Sequence, residues 1–147
     1  MGPVDIVVEG NRITQIRSVG YPTDGPENIY NNRRPEAGDH EIDAEGMYIL
    51  PGFVDMHGHI GGVNQGTPSE YVFKLWMGHG ITTVRDPGSG NGVGWTLTHK
   101  DRSDKNEITA PRLETYVRFG GSDADDDWDR DIVTPEDARA WVRWLAN

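Results

Sequence analysis

Cysteine is absent from the 147-residue chain, which excludes disulfides and thiolate metal sites and leaves the redox compartment undecided. No apolar run reaches the roughly 18 residues that a bilayer-spanning helix requires. Basic side chains are scarce: 14 Lys and Arg stand against 24 Asp and Glu, for a formal net charge of −10 at pH 7. Attraction to phosphate needs clustered Lys and Arg, so this balance argues against nucleic-acid and membrane partners. The opening Met1-Gly2-Pro3-Val4-Asp5-Ile6 has no basic region followed by an apolar stretch, so no signal peptide is visible. The expectation is a soluble protein whose compartment is unknown. Apolar residues are also few, at 35%. The 19 glycines bring the chain near the range of an ordinary domain, and with 9 prolines they imply many turns.

What is present falls into two textures, and the expected domains are residues 1–50 and 51–147. The first reads as β. Residues 4–9 and 12–17 are short β-rich runs joined by Gly10-Asn11, a dipeptide suited to a tight hairpin. Residues 20–40 are polar and rich in Gly, Pro and Asn, and read as a long surface loop. Residues 41–44 and 47–50 read as two further strands around a Glu45-Gly46 turn.

After Pro51-Gly52 strands alternate with helices. Residues 53–57, 81–85 and 113–119 read as strands. A helix opens at Thr67-Pro68-Ser69-Glu70, where Thr67 caps, Pro68 suits the first helical position and Glu70 completes a capping box. A Gly-interrupted helix is placed within 91–105, and a last one opens with the same capping logic at Thr134-Pro135-Glu136-Asp137. Strand alternating with helix implies parallel strands with helices packed outside. Residues 53–147 hold three such units, whereas a closed (β/α)8 barrel needs eight units and about 250 residues.

The segment with chemical content is Pro51-Gly52-Phe53-Val54-Asp55-Met56-His57-Gly58-His59. In an extended strand, alternate side chains share a face, so Asp55, His57 and His59 are expected to point the same way. Two imidazoles separated only by Gly58 suit one divalent ion, zinc above all. Gly58 is expected to keep that mouth free of bulk. The pair also ends the first strand of a βα series, the end at which such barrels place their active sites. A bare His-x-His otherwise describes two histidines near a loop.

These residues resemble a known family. PGFVDMHGHI at 51–60 is similar to the first-strand metal motif of the amidohydrolase superfamily, and GITTVRDPG at 80–88 to its second strand. VDIVVEGNRITQI and EIDAEGMYILPG are similar to the small β-sandwich domain that opens many members. The GITTVRD wording leans toward the imidazolonepropionase and prolidase-like branch. The resemblance implies a partial β-sandwich followed by the first three βα units of a metal-dependent (β/α)8 TIM barrel. It also implies that His57 and His59 bind the more buried of one or two divalent ions. The family completes its site with a carboxylated Lys or a Glu, two further His and an Asp, on later strands. None of these has a counterpart here. The expected activity is hydrolysis of a C–N bond in a small amide, cyclic amide or dipeptide, with this chain a fragment that is inactive alone. Its expected partner is the missing C-terminal barrel half or a second copy. The alternative is a non-catalytic barrel piece that binds metal weakly or associates with a partner chain.

Other residues have blander readings. Asp55 reads as a group that holds the loop or a histidine N–H rather than as a third ligand. Arg85 and Asp86, at the end of the second strand, are placed to orient a metal ligand, to touch substrate or to touch each other, and an ion pair closing the barrel is preferred. His79 ends a helix and reads as structural. His40 and His99 belong to no constellation. The acidic run from Asp123 to Asp131 begins like a calcium loop but has Trp128 and Thr134 where that loop requires Gly and Glu, so it reads as a solvated loop.

Overall fold

A computed structural model of the chain describes residues 2–23, 28–117 and 131–146. The chain divides into two units, Met1–Leu50 and Pro51–Asn147.

In the first unit, β1 (Val4–Glu9) and β2 (Arg12–Ser18) form an antiparallel hairpin. Gly10 turns the chain at φ 61°, a left-handed conformation that favours glycine. Val7 pairs with Gln15 but Val8 with Ile13, so Thr14 is an extra residue and the strand bulges there. The bulge explains the imperfect alternation of the sequence. It puts Ile13 and Ile16, three apart in sequence, opposite Val8 and Ile6 on one face. Beyond the hairpin, Val19 is buried, bonded through its N–H to the Pro3 carbonyl (3.0 Å). The described part of the polar loop is pinned rather than loose. The Arg33 guanidinium lies 4.5 Å from the Tyr30 ring centre and 5.5 Å from that of Tyr21, and Arg34 pairs with Asp5 at 3.5 Å.

The two strands expected at 41–44 and 47–50 are not formed. The turn between them is: Asp43 Oδ1 accepts the Glu45 N–H at 2.9 Å, and Ala44 O accepts the Met47 N–H at 3.0 Å. No described residues pair with either flank, and Ile42 and Tyr48 are 92% and 95% exposed. Without a neighbouring ladder the backbone groups have no reason to adopt strand geometry.

The second unit is α/β. Strands β3 (Phe53–Asp55), β4 (Ile81–Asp86) and β5 (Arg112–Thr115) pair in parallel in the order β3-β4-β5. Helix α1 (Ser69–Gly78) connects β3 to β4, α2 (Val93–Asp104) connects β4 to β5, and α3 (Pro135–Leu145) follows. The core is Ile60, Phe73 and Leu113, with Trp76, Trp95, Ile108 and Ala110 packed around it. Strand β5 is shorter than expected: Tyr116 has left it, and residues 118–119 of the expected strand lie outside the described residues.

Capping separates the two predicted helix starts. Helix α3 has its box, Thr134 Oγ1 accepting the Asp137 N–H while Asp137 accepts the Thr134 N–H. Helix α1 does not. Pro68 occupies its N-cap, and the Thr67 hydroxyl turns away to the Gln65 carbonyl at 3.3 Å. Thr67 instead bridges to Gly62, which holds the preceding loop in a tight return and removes Thr67 from the helix end. At the other end of α1, His79 Nδ1 lies 2.7 Å from the Leu75 carbonyl and Gly80 leaves at φ 77°. Among the described residues no helix is long and apolar enough to cross a membrane.

Candidate functional site

Strand β3 stops at Asp55, so His57 and His59 are not strand residues and the alternation argument does not place them. The side chain of Asp55 ends the strand. Its Oδ1 accepts the His57 N–H at 2.9 Å, a local turn that competes with further pairing. A backbone bond then keeps the chain against β4, from the Gly58 N–H to the Arg85 carbonyl at 3.1 Å. This loop brings the two imidazoles together. Their ring centres are 5.4 Å apart and nearly perpendicular.

Gly58 has a different task from the one its position between the histidines suggests. A Cβ there would lie 2.9 Å from both Trp76 Cζ2 and Val84 Cγ1. The glycine faces the layer between sheet and helix, and its missing side chain lets the loop lie close to β4.

Asp86 is fully buried at the end of β4 and holds three groups. Its Oδ1 accepts the Gly88 N–H at 2.9 Å and lies 3.2 Å from His59 Nδ1, while its Oδ2 accepts the Ile60 N–H at 3.3 Å. Arg85 goes elsewhere. Its Nη1 donates to the Met56 carbonyl at 3.3 Å, and its guanidinium lies 4.7 Å from the Tyr116 ring centre. The expected ion pair between Arg85 and Asp86 is therefore not made: neighbours on a strand point to opposite faces, and each has its own partners.

A divalent ion fits this pair in part. With zinc–nitrogen bonds of about 2.0–2.1 Å and a tetrahedral angle, two ring centres sharing an ion lie about 5 Å apart. The observed 5.4 Å is close to that. Both side chains are exposed, and the His57 ring lies edge-on to that of His59. The described residues bring no third His, Asp or Glu into reach of a common ion. Residues 123–130 of the acidic run lie outside the described residues.

One polar constellation was not legible in the sequence. His99 stacks on Trp95 at 3.8 Å, with its Nδ1 2.9 Å from the Trp95 carbonyl and its Nε2 3.3 Å from the buried Ser69 hydroxyl. The signal available was the four-residue spacing of Trp95 and His99 on one helix. Ser69, thirty residues away, gave none.

No family model matches the chain. An adenine deaminase of Leuconostoc citreum is 44% identical over 57 residues, which are 38% of this chain and 10% of that protein. An adenine deaminase of Bacillus subtilis is 49% identical over 47 residues, 32% of this chain and 8% of that protein. Among solved structures, a prolidase complexed with N-methylphosphonate-L-proline superposes with a TM-score of 0.52 at 23% identity, covering 77% of this chain and 26% of the prolidase. The matched part of the chain thus spans about a tenth of its curated relatives and about a quarter of the prolidase. The resemblance to the amidohydrolase superfamily read from PGFVDMHGHI and GITTVRDPG thus has a counterpart in fold in a prolidase and partial counterparts in sequence in adenine deaminases.

Proposed function

We propose that this chain supplies the first two metal ligands, His57 and His59, of a hydrolase that cleaves C–N bonds within a (β/α)8 barrel. The observation that carries this reading is the pair itself: two imidazoles 5.4 Å apart at the C-terminal end of β3, one of them held by a buried carboxylate. Strand C-termini are where parallel α/β folds place their sites. An all-nitrogen donor pair suits zinc better than calcium or magnesium, which prefer oxygen. When bound, such an ion acidifies a water ligand toward a pKa of about 7 and polarises the carbon under attack.

The roles of the chain's own residues follow from their contacts. His57 and His59 hold the ion; Asp55 fixes the backbone at His57, and the Gly58–Arg85 bond fixes it between the two. Arg85, half-buried and donating through Nη1 to the Met56 carbonyl, has further guanidinium donors at the same end of the sheet, which suit a substrate carboxylate. The two names among the relatives bracket the substrate: a peptide carrying proline on one side, the exocyclic amine of a purine on the other. Both reactions break a C–N bond. The proton donor to the departing nitrogen and the other ligands belong to the rest of the barrel. The second reading is a barrel piece that binds metal weakly without catalysis. The two-donor site among the described residues favours it for this chain in isolation.

The test uses the complete reading frame around these residues. Metal content by mass spectrometry and hydrolysis of prolyl dipeptides, cyclic amides and adenine are measured together. His57→Ala and His59→Ala are each expected to remove metal and activity. Wild-type metal in both variants means that the pair is not the site.

A further inference from the structure

The two histidines are not equivalent. His59 is tied through Nδ1 to a carboxylate that is itself fixed by two backbone N–H groups, whereas the His57 ring has no hydrogen bond among the described residues. We infer that Asp86 is a positioning residue: it fixes the proton of His59 on Nδ1 and presents Nε2 as the donor atom, in advance of any ligand. This rests on the proposal that the pair binds metal and adds which atom binds and what orients it.

An ionised carboxylate only accepts, so a neutral His59 facing Asp86 at 3.2 Å must carry its proton on Nδ1. The lone pair is then on Nε2, the nitrogen turned away from Asp86. The carboxylate cannot swing to release the ring. Oδ1 is held by Gly88 N and Oδ2 by Ile60 N, so one buried group ties the loop after β4 to the loop after β3. Fixing a ligand's tautomer and direction beforehand removes an ordering cost from binding, and partners of this kind typically contribute about 10–100-fold in metal affinity. Among the described residues nothing comparable orients the His57 ring, so the nitrogen with its geometry set in advance is His59 Nε2.

The experiment is long-range proton–nitrogen NMR of the 147-residue chain labelled with nitrogen-15, without metal and then with added zinc. At a pH where the rings are neutral, His59 is expected as the Nδ1–H tautomer alone and His57 as a mixture of both. Zinc is expected to shift His59 Nε2 and leave its Nδ1 protonated. In Asp86→Asn, where an amide N–H replaces one acceptor, His59 is expected to become a tautomer mixture and zinc affinity to fall about 10–100-fold. Asp86→Glu, which keeps the charge on a longer arm, recovers part of the tautomer preference if the carboxylate itself sets it. A wild-type His59 protonated on Nε2, or zinc affinity unchanged in a folded Asp86→Asn with a mixed tautomer, overturns the inference. Because the wild-type tautomer is diagnostic by itself, a variant that fails to fold does not remove the test. The expected tautomer with no zinc shift at either ring keeps the positioning role of Asp86 and removes the metal proposal.

Discussion

Gly58 shows how narrow the tolerances around the histidines are. A single methyl group there meets the Trp76 ring and Val84, both in the packed layer beneath the loop. Gly58→Ala is expected to destabilise the second unit by about 1–3 kcal/mol, as over-packing does. It also lifts His57 and His59 off β4. The check is a shift of the urea midpoint together with loss of the NMR contacts between the two rings. An unchanged midpoint contradicts the packing account. At this scale the sequence was informative where chemistry is local. His57 and His59 lie two apart, and their pairing needs only a short loop. Asp86 is 27 residues from His59, and nothing in its neighbours Arg85 and Pro87 announces the contact. It arises from the parallel register that sets Asp55 beside Val84, a tertiary fact. The same holds for Arg85, whose partners Met56 and Tyr116 belong to the loop after β3 and the exit of β5.

The elements themselves are held by polar links as much as by their apolar faces. Ser69 opens α1 and meets His99 in the second turn of α2, so a hydroxyl–imidazole bond at 3.3 Å joins the two helices beside the Phe73 core. Ser69→Ala leaves His99 Nε2 without its partner in a half-buried place, and a loss of about 1 kcal/mol is expected. Thermal unfolding of Ser69→Ala beside His99→Ala measures it; additive effects of the two changes contradict the coupling. For α3, Thr134→Ala removes a complete capping box and is expected to lower helix stability by about 1 kcal/mol, read as reduced protection of the Asp137 amide from exchange. The order of strands and helices after Pro51 was legible because the short strands β3, β4 and β5 alternate with helix-forming stretches and so have parallel neighbours to pair with. The strands expected at 41–44 and 47–50 show the opposite case. Their β-favouring residues are present, yet a strand exists only with a partner, and the sequence of a short run does not reveal whether one is supplied. The two caps make the same point. Thr67 and Thr134 sit in nearly identical strings, and only the Gly62 bridge diverts the first.

At the scale of the whole chain, apolar surface is left uncovered in both units. Val8, Ile13 and Ile16 are each more than half exposed on the hairpin, and so are Phe53, Val54 and Met56 around β3. Among the described residues β3 and β5 each pair on one side only, which leaves strand edges open to association. The chain alone is therefore expected to self-associate as its concentration rises and to bind an apolar dye. Sedimentation velocity across a concentration series checks this, and a monomer at every concentration contradicts it.

The central claim is that His57 and His59 act as one metal-binding pair. Zinc titration of the 147-residue chain against a competing chelator, with His57→Ala and His59→Ala in parallel, tests it most directly. The account predicts one weak zinc site per chain, lost in either variant, since each imidazole supplies half of the available donors. Zinc binding of wild-type strength in both variants, or none in the wild type, contradicts it.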